Sequence, residues 1–188
     1  MFREKKNKIK ILKSIKMLKE TAYMSHYLPY GLNLKSDNKT LELIGIQGDL
    51  VLLNDNSNCV SSMSNEFYWK PLLRPISQLT EEIEHNGEKF MPIRVLYNMA
   101  RISHQNHVEK EEFIKAWGGN YILRVYASDD YYSEFVYGND CFSYRFVDLK
   151  HNYSGDNPIR NQLSLFNKLF EWHFDVFGLI EHDLAIAI

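Results

Sequence analysis

The 188 residues are enough for one domain, and at 45% apolar and 14% aromatic they can build a core that buries roughly 70% of the unfolded surface without a metal or disulfide staple. Cys59 and Cys141 sit in no C-x-x-C or Cys/His spacing, which excludes a disulfide scaffold and reads as reduced thiols of a cytoplasmic protein. No apolar run approaches the about 18 residues of a membrane span, no apolar stretch follows the basic start, and the sequons at Asn38 and Asn152 then have no bearing.

The net charge of −2 is unevenly spread: residues 1–20 carry eight Lys/Arg against Glu4 and Glu20, a net of +6, so the remaining 168 residues carry −8. This basic start also has helical spacing. Ile11, Leu12, Ile15, Leu18 and Ala22 form one stripe, with Lys10, Lys13, Lys16 and Lys19 on the other side. The pattern predicts a basic amphipathic helix over residues 1–26, peripheral to a single domain of 1–188. It should stop before Tyr27-Leu28-Pro29-Tyr30-Gly31, because a residue ahead of proline avoids the helical region.

An extended segment is expected at Leu32 to Lys35, then a hairpin of Thr40 to Ile46 and Leu50 to Leu53 around Gln47-Gly48-Asp49. Asn54 to Asn65 reads as a polar loop, interrupted by a short strand at Cys59-Val60-Ser61. A strand from Glu66 to Lys70 should end at Pro71, which cannot donate to a ladder. Pro71 and Pro75 frame an extended crossing, and Ser77 reads as the N-cap of a short helix from Gln78 to Glu84. Asn86-Gly87 signals a turn, and Pro92 opens a helix with Ile93, Leu96, Tyr97 and Ala100 on one face. Asn106 and Glu109 have capping-box spacing for a helix from His107 to Trp117, stopped by Gly118-Gly119.

From Asn120 the apolar period becomes two. Tyr121 to Ala127, Tyr131 to Tyr137 and Cys141 to Asp148 predict a three-stranded antiparallel meander with short connectors. A polar loop, His151 to Asn157, leads to a last helix from Asn161 to Phe177. Leu165, Phe166, Leu169, Phe170, Trp172, Val176 and Phe177 cover more than half of that helix, leaving Glu171 and Asp175 for water. The apolar tail Leu184 to Ile188 should dock. The expected fold is therefore α+β: antiparallel sheets including the C-terminal meander, packed against helices, with the last long helix central.

No catalytic, cofactor or metal constellation stands out. His173 projects onto the apolar face of the last helix and reads as a core histidine bonded to a backbone carbonyl. His104 and His107 straddle a predicted helix start, which is the wrong geometry for a shared metal. The carboxylates Glu81-Glu82-Glu84 and Glu109-Glu111-Glu112 suit helix N-termini, and Asp129-Asp130 a hairpin tip. No nucleophile elbow or phosphate loop occurs, Gly118-Gly119 precedes a strand, and Cys141 has no activating histidine nearby.

Residues 68–92 resemble a block in uncharacterised phage and prophage proteins of Bacteroides-group bacteria, and Leu169 to Ile180 resembles the matching C-terminal block. The resemblance implies origin on a mobile genetic element and a cytoplasmic setting in a bacterial host. It brings no activity and no site residues with it.

Three functions follow as expectations. The first is a non-enzymatic accessory protein that binds a host or phage protein. The second is a nucleic-acid-binding module in which Lys5, Lys6, Lys10, Lys13, Lys16 and Lys19 neutralise phosphates without reading bases. The third is an enzyme of unrecognised type, with a pocket around His173 or on the meander's aromatic face.

Overall fold

The computed structural model describes residues 22–36, 39–47, 50–54, 60–62, 69–100, 108–116 and 118–188. The basic helix expected over 1–26 therefore lies outside the described residues except for its last few. The chain forms two compact units, one of residues 1–75 and 169–188 and the other of residues 76–168. The class is α+β, with antiparallel sheets and helices packed on them.

The first unit holds a six-stranded sheet. Its strands are β1 (Asn33–Ser36), β2 (Lys39–Gln47), β3 (Leu50–Asn54), β4 (Val60–Ser62), β5 (Lys70–Leu73) and β13 (Ile186–Ala187), in the order β13-β5-β1-β2-β3-β4. The β2–β3 hairpin forms as its pattern predicts, with a bulge between Leu43 and Gly45. Before β1, Ser25–Tyr30 forms a 3-10 helix that runs through Pro29 and ends at Gly31 with φ of 67°. The α-helical residues end at Met24, ahead of Tyr27 as expected, and the fixed φ of proline lets the 3-10 helix that follows run through Pro29.

Pro71 likewise does not end a strand. It lies inside β5, opposite Leu34 of β1, while the next two residues pair with β13. The strand changes partners at the proline, so only one ladder bond is forgone. The tail docks as expected: β13 runs parallel to β5, and the Ile188 N–H donates to the Leu73 carbonyl at 3.0 Å.

The second unit holds a five-stranded antiparallel sheet. Its order is β12-β11-β10-β9-β8, with β8 (Lys110–Ala116), β9 (Asn120–Ser128), β10 (Tyr131–Gly138), β11 (Cys141–Asp148) and β12 (Tyr153–Pro158). The meander is its centre. Two outer strands correct the sequence reading: β8 replaces the helix expected at His107–Trp117, and β12 replaces the loop expected at His151–Asn157.

In β8 every described residue from Glu111 to Ala116 except Lys115 is half-buried. The pairing with β9 over seven residues outweighs the local capping signal. Gly118 and Gly119, at φ of 80° and 78°, turn a hairpin rather than cap a helix.

A third correction lies at Gln78–Glu84. Ile76–Thr80 is a 3-10 turn, and β6 (Ile83–His85) then pairs with β7 (Glu88–Phe90). Asn86 and Gly87 both have positive φ, the geometry that Asn-Gly turns favour between two strands.

Helix α1 (Pro92–Met99) begins at its proline and buries Ile93, Leu96 and Tyr97. Tyr97 meets Phe135 edge-on, with ring centroids 6.0 Å apart. Helix α2 (Gln162–Glu171) lays Phe166 against Tyr137 and Phe142. The Gln162 side-chain amide accepts from the Phe142 N–H at 3.0 Å and donates to the Phe142 carbonyl. Phe142 lies just beyond the last β11–β12 pair, Ser143 with Pro158, so this amide serves as its strand partner. Both helices cover the same sheet face, that of Leu123, Phe135, Phe142 and Tyr144.

Candidate functional site

Some residues singled out from sequence lie outside the described residues, and several others lie elsewhere than expected. Lys5, Lys6, Lys10, Lys13, Lys16 and Lys19 are outside the described residues, as are His104, His107 and Cys59. Cys141 is a free, exposed thiol. Glu81, Glu82 and Glu84 flank or enter β6, and Glu111 and Glu112 lie on β8, so none of them sits in a helical first turn.

His173 is not on a helical face. Helix α2 ends at Glu171, six residues short of the expected Phe177, and His173 follows with φ of 59°, the left-handed conformation that closes helices. Its Nε2 lies 2.8 Å from the Tyr30 carbonyl, as expected of a histidine bonded to backbone.

Asp175 is also corrected. Rather than facing water it is 5% exposed, and its two carboxylate oxygens accept from the N–H groups of Leu179 and Ile180, each at 2.8 Å. Burial pushes its carboxyl above the ordinary range, outweighing these N–H groups. Tyr27 finishes the knot: its hydroxyl donates to the Phe174 carbonyl at 2.7 Å and accepts from the Val176 N–H at 3.4 Å. The segment 173–175 is further pinned by Arg74, which donates to the His173 carbonyl and accepts from the Asp175 N–H. These groups hold the chain after α2 in place.

The polar constellation that the sequence reading missed is on the second unit's sheet, on the face opposite that covered by α1 and α2. Strand register puts Glu112, Arg124, Glu134 and Arg145 directly opposite one another across β8, β9, β10 and β11. Signs alternate along this row.

Arg124 is its centre. Its Nε and Nη2 donate to Glu134 Oε1 at 3.0 and 2.7 Å, and its Nη1 lies 3.5 Å from Glu112 Oε2. The Tyr126 hydroxyl donates to that same Glu112 oxygen at 2.8 Å. The Arg124 guanidinium also lies 4.8 Å from the Tyr132 ring centroid, and Lys110 sits over Tyr126 at 5.3 Å.

These contacts set the charges. Desolvation works to lower the Arg124 guanidinium, but the Tyr126 and Glu134 hydrogen bonds prevail and raise it. The Lys110 hydrogen bond, then that of Tyr126, holds Glu112 below the ordinary carboxylate range.

Parallel rows flank the charges. Lys110, Tyr126, Tyr132 and Val147 run along one side, and Ile114, Ile122, Val136 and Ser143 along the other. Apart from exposed Lys110, these flanking side chains are half-buried. Five strands at about 4.8 Å spacing make a face about 19 Å across, wide enough to seat a helix.

At the end of the same sheet, Asp148 forms a local clasp. Its Oδ1 accepts from the His151 backbone N–H at 3.0 Å, and its Oδ2 lies 2.8 Å from His151 Nδ1. Burial works to raise this carboxyl, but the His151 contacts prevail and lower it. The histidine is three residues along the same turn, which identifies the pair as a turn closure.

The sequence signal for the row was available in part. Arg124, Glu134 and Arg145 are charged positions near the middle of the three successive strand segments that follow Asn120; Glu112 lies in the segment before them. Recognising β8 as a strand was needed to bring Glu112 into register.

Among the described residues no helix is long and apolar enough to cross a membrane, and no group of three or more His, Cys, Asp or Glu is placed to hold a metal ion. Comparison with protein-family models, with curated proteins and with solved structures finds no match.

Proposed function

We propose that this protein acts by binding another protein through the charged and aromatic face of its five-stranded sheet. The observation that carries this reading is the Glu112–Arg124–Glu134–Arg145 row, flanked by half-buried Tyr126 and Tyr132. Tyrosine and arginine dominate the energetics of protein interfaces, and here Arg124 is already fixed by Glu134, so little side-chain freedom is lost on binding. Alternating signs suit the mixed charges of a protein surface. A polyphosphate gains little from such a face, because Arg124 is already paired with Glu134 and Lys110 with Glu112.

The resemblance of residues 68–92 and 169–180 to phage and prophage proteins supports an accessory role in a bacterial host, with a host or phage protein as the partner. Nucleic-acid binding is the second reading, favoured by the net +6 of residues 1–20.

One experiment separates the two. Partners captured from infected cells by the whole protein are compared with those captured by an Arg145→Glu, Tyr132→Ala variant and by a chain lacking residues 1–20. Loss of a stoichiometric protein partner with the first variant alone supports the sheet face. Salt-sensitive nucleic acid lost only on truncation supports the second reading. A stoichiometric partner that survives the sheet-face variant sinks the first.

A further inference from the structure

The five-stranded sheet has a feature that its face does not use. Among the described residues four strands terminate the two large sheets; three of them are short or interrupted by glycine and proline, and the fourth is guarded by its charged side chains alone. β13 has two residues and β4 has three. β12 has six but contains Gly155 and closes on Pro158. β8 has seven residues, with neither glycine nor proline, and among the described residues no strand lies beyond it.

β8 reads Lys110-Glu111-Glu112-Phe113-Ile114-Lys115-Ala116. We propose that two copies of this protein pair through β8, antiparallel about a twofold axis at Phe113, to make one continuous ten-stranded sheet. In an antiparallel pair, opposed residues lie on the same face, so only shifts that keep odd positions opposite odd positions preserve the sheet's two faces. Centred on Phe113, Glu111 of each copy opposes Lys115 of the other, and the two Phe113 rings oppose each other. Centred on Glu112, two like charges meet. Centred on Ile114, Phe113 opposes Lys115 and both charge pairs vanish.

The strand's own charges therefore select one register, and that register is self-complementary, as an isologous twofold contact requires. The side chains are prepared for it. Lys115 is exposed, with its ammonium 5.8 Å from the Tyr121 ring centroid. Glu111 is held by Arg94, whose Nε and Nη2 both reach Oε2. This contact does not use Oε1, which can meet the second copy's lysine. The proposal does not depend on the sheet-face reading, since a different row of β8 and its backbone edge make the contact.

Sedimentation of the full chain over a wide concentration range tests it. The unaltered protein should reach a dimer, and amide exchange of residues 110–116 should slow as protein concentration rises. Lys115→Glu and Glu111→Lys should each weaken association by about tenfold or more, since two attractive pairs become repulsive in either case. An equimolar mixture of these two variants should associate again, because position 111 of each then meets an opposite charge at position 115 of the other. Thermal melts check that both variants stay folded. Lys115→Glu alters an exposed side chain, so it remains informative even where the loss of the Arg94 contact harms Glu111→Lys. A monomer at all concentrations, exchange in 110–116 that ignores concentration, or a dimer indifferent to Lys115→Glu would each overturn the proposal.

Discussion

Asp175 in the first unit and Glu134 in the second are both nearly closed to solvent, at 5% and 7% exposure, yet they are held by different kinds of partner. Asp175 is wrapped by backbone N–H groups of the chain that follows it. Glu134 is gripped by a guanidinium ten residues away on the neighbouring strand. The first arrangement fixes a path of backbone, and burial outweighs the N–H groups so that the carboxyl holds its proton more tightly. The second is a matched ion pair on a sheet face, where the carboxylate is closed off and the half-buried guanidinium is what is presented. Polar chemistry in the first unit serves the fold, whereas in the second it is arranged along a surface.

The largest effect should come from breaking the displayed pair. Glu134→Ala leaves Arg124 facing a half-buried site without its main acceptor. The cost of an orphaned buried charge is reduced here because Arg124 is 27% exposed, which suggests a loss of about 2–4 kcal/mol. Urea unfolding of the variant measures it. A loss below about 1 kcal/mol would place this pair with ordinary surface salt bridges.

The enclosed carboxylate comes next. Asp175→Ala strands the Leu179 and Ile180 N–H groups and should cost about 2 kcal/mol. Asp175→Asn provides the more revealing comparison, through pH. A carboxyl whose folded pKa is raised binds its proton more readily in the folded state. Its contribution is thus full below the unfolded pKa and is lost as pH rises through the folded one. The stability of the natural protein relative to Asp175→Asn should fall as pH rises through that window. A flat difference between acidic and neutral pH would mean that the N–H groups fully offset burial, and a rising one that they outweigh it.

Tyr27→Phe removes one hydroxyl that serves two backbone groups, Phe174 and Val176. The ring still packs edge-on against Phe170 at 5.1 Å, so the expected loss is only about 1 kcal/mol, read from the shift in unfolding midpoint.

These contrasts follow what the sequence made legible. The α+β class, the β2–β3 hairpin, the meander and the docked tail all follow from short-range periodicity and turn chemistry. β8 was hidden because Asn106 and Glu109 imitate a helix start, and its strand state depends on pairing with β9. β12 was hidden because Ser154, Gly155, Asp156 and Asn157 have loop composition; the ladder with β11 holds them extended. The last helix was drawn too long because its apolar pattern continues past Glu171. After that point the same residues, Phe174 and Phe177 among them, are packed by irregular chain rather than helix. His173 and Asp175 were misplaced for that one reason. The charge row needed the register of four strands, and one of those strands, β8, was missing.

Glu112 gives the smallest effect and the clearest sign. It stands at the β8 end of the row, where Lys110 and Tyr126 hold its carboxyl below the ordinary range. A depressed folded pKa contributes stability that is present above the unfolded value and lost as pH falls through the folded one. The natural protein should therefore gain on Glu112→Gln as pH rises through that acidic window, the opposite slope to its comparison with Asp175→Asn. Both series can be read from urea midpoints on the same pH axis. If the two slopes share a sign, the distinction between an enclosed and a displayed carboxylate fails. If they oppose each other, the row on the second sheet is electrostatically formed before any partner arrives, and Arg124 need not be ordered by binding.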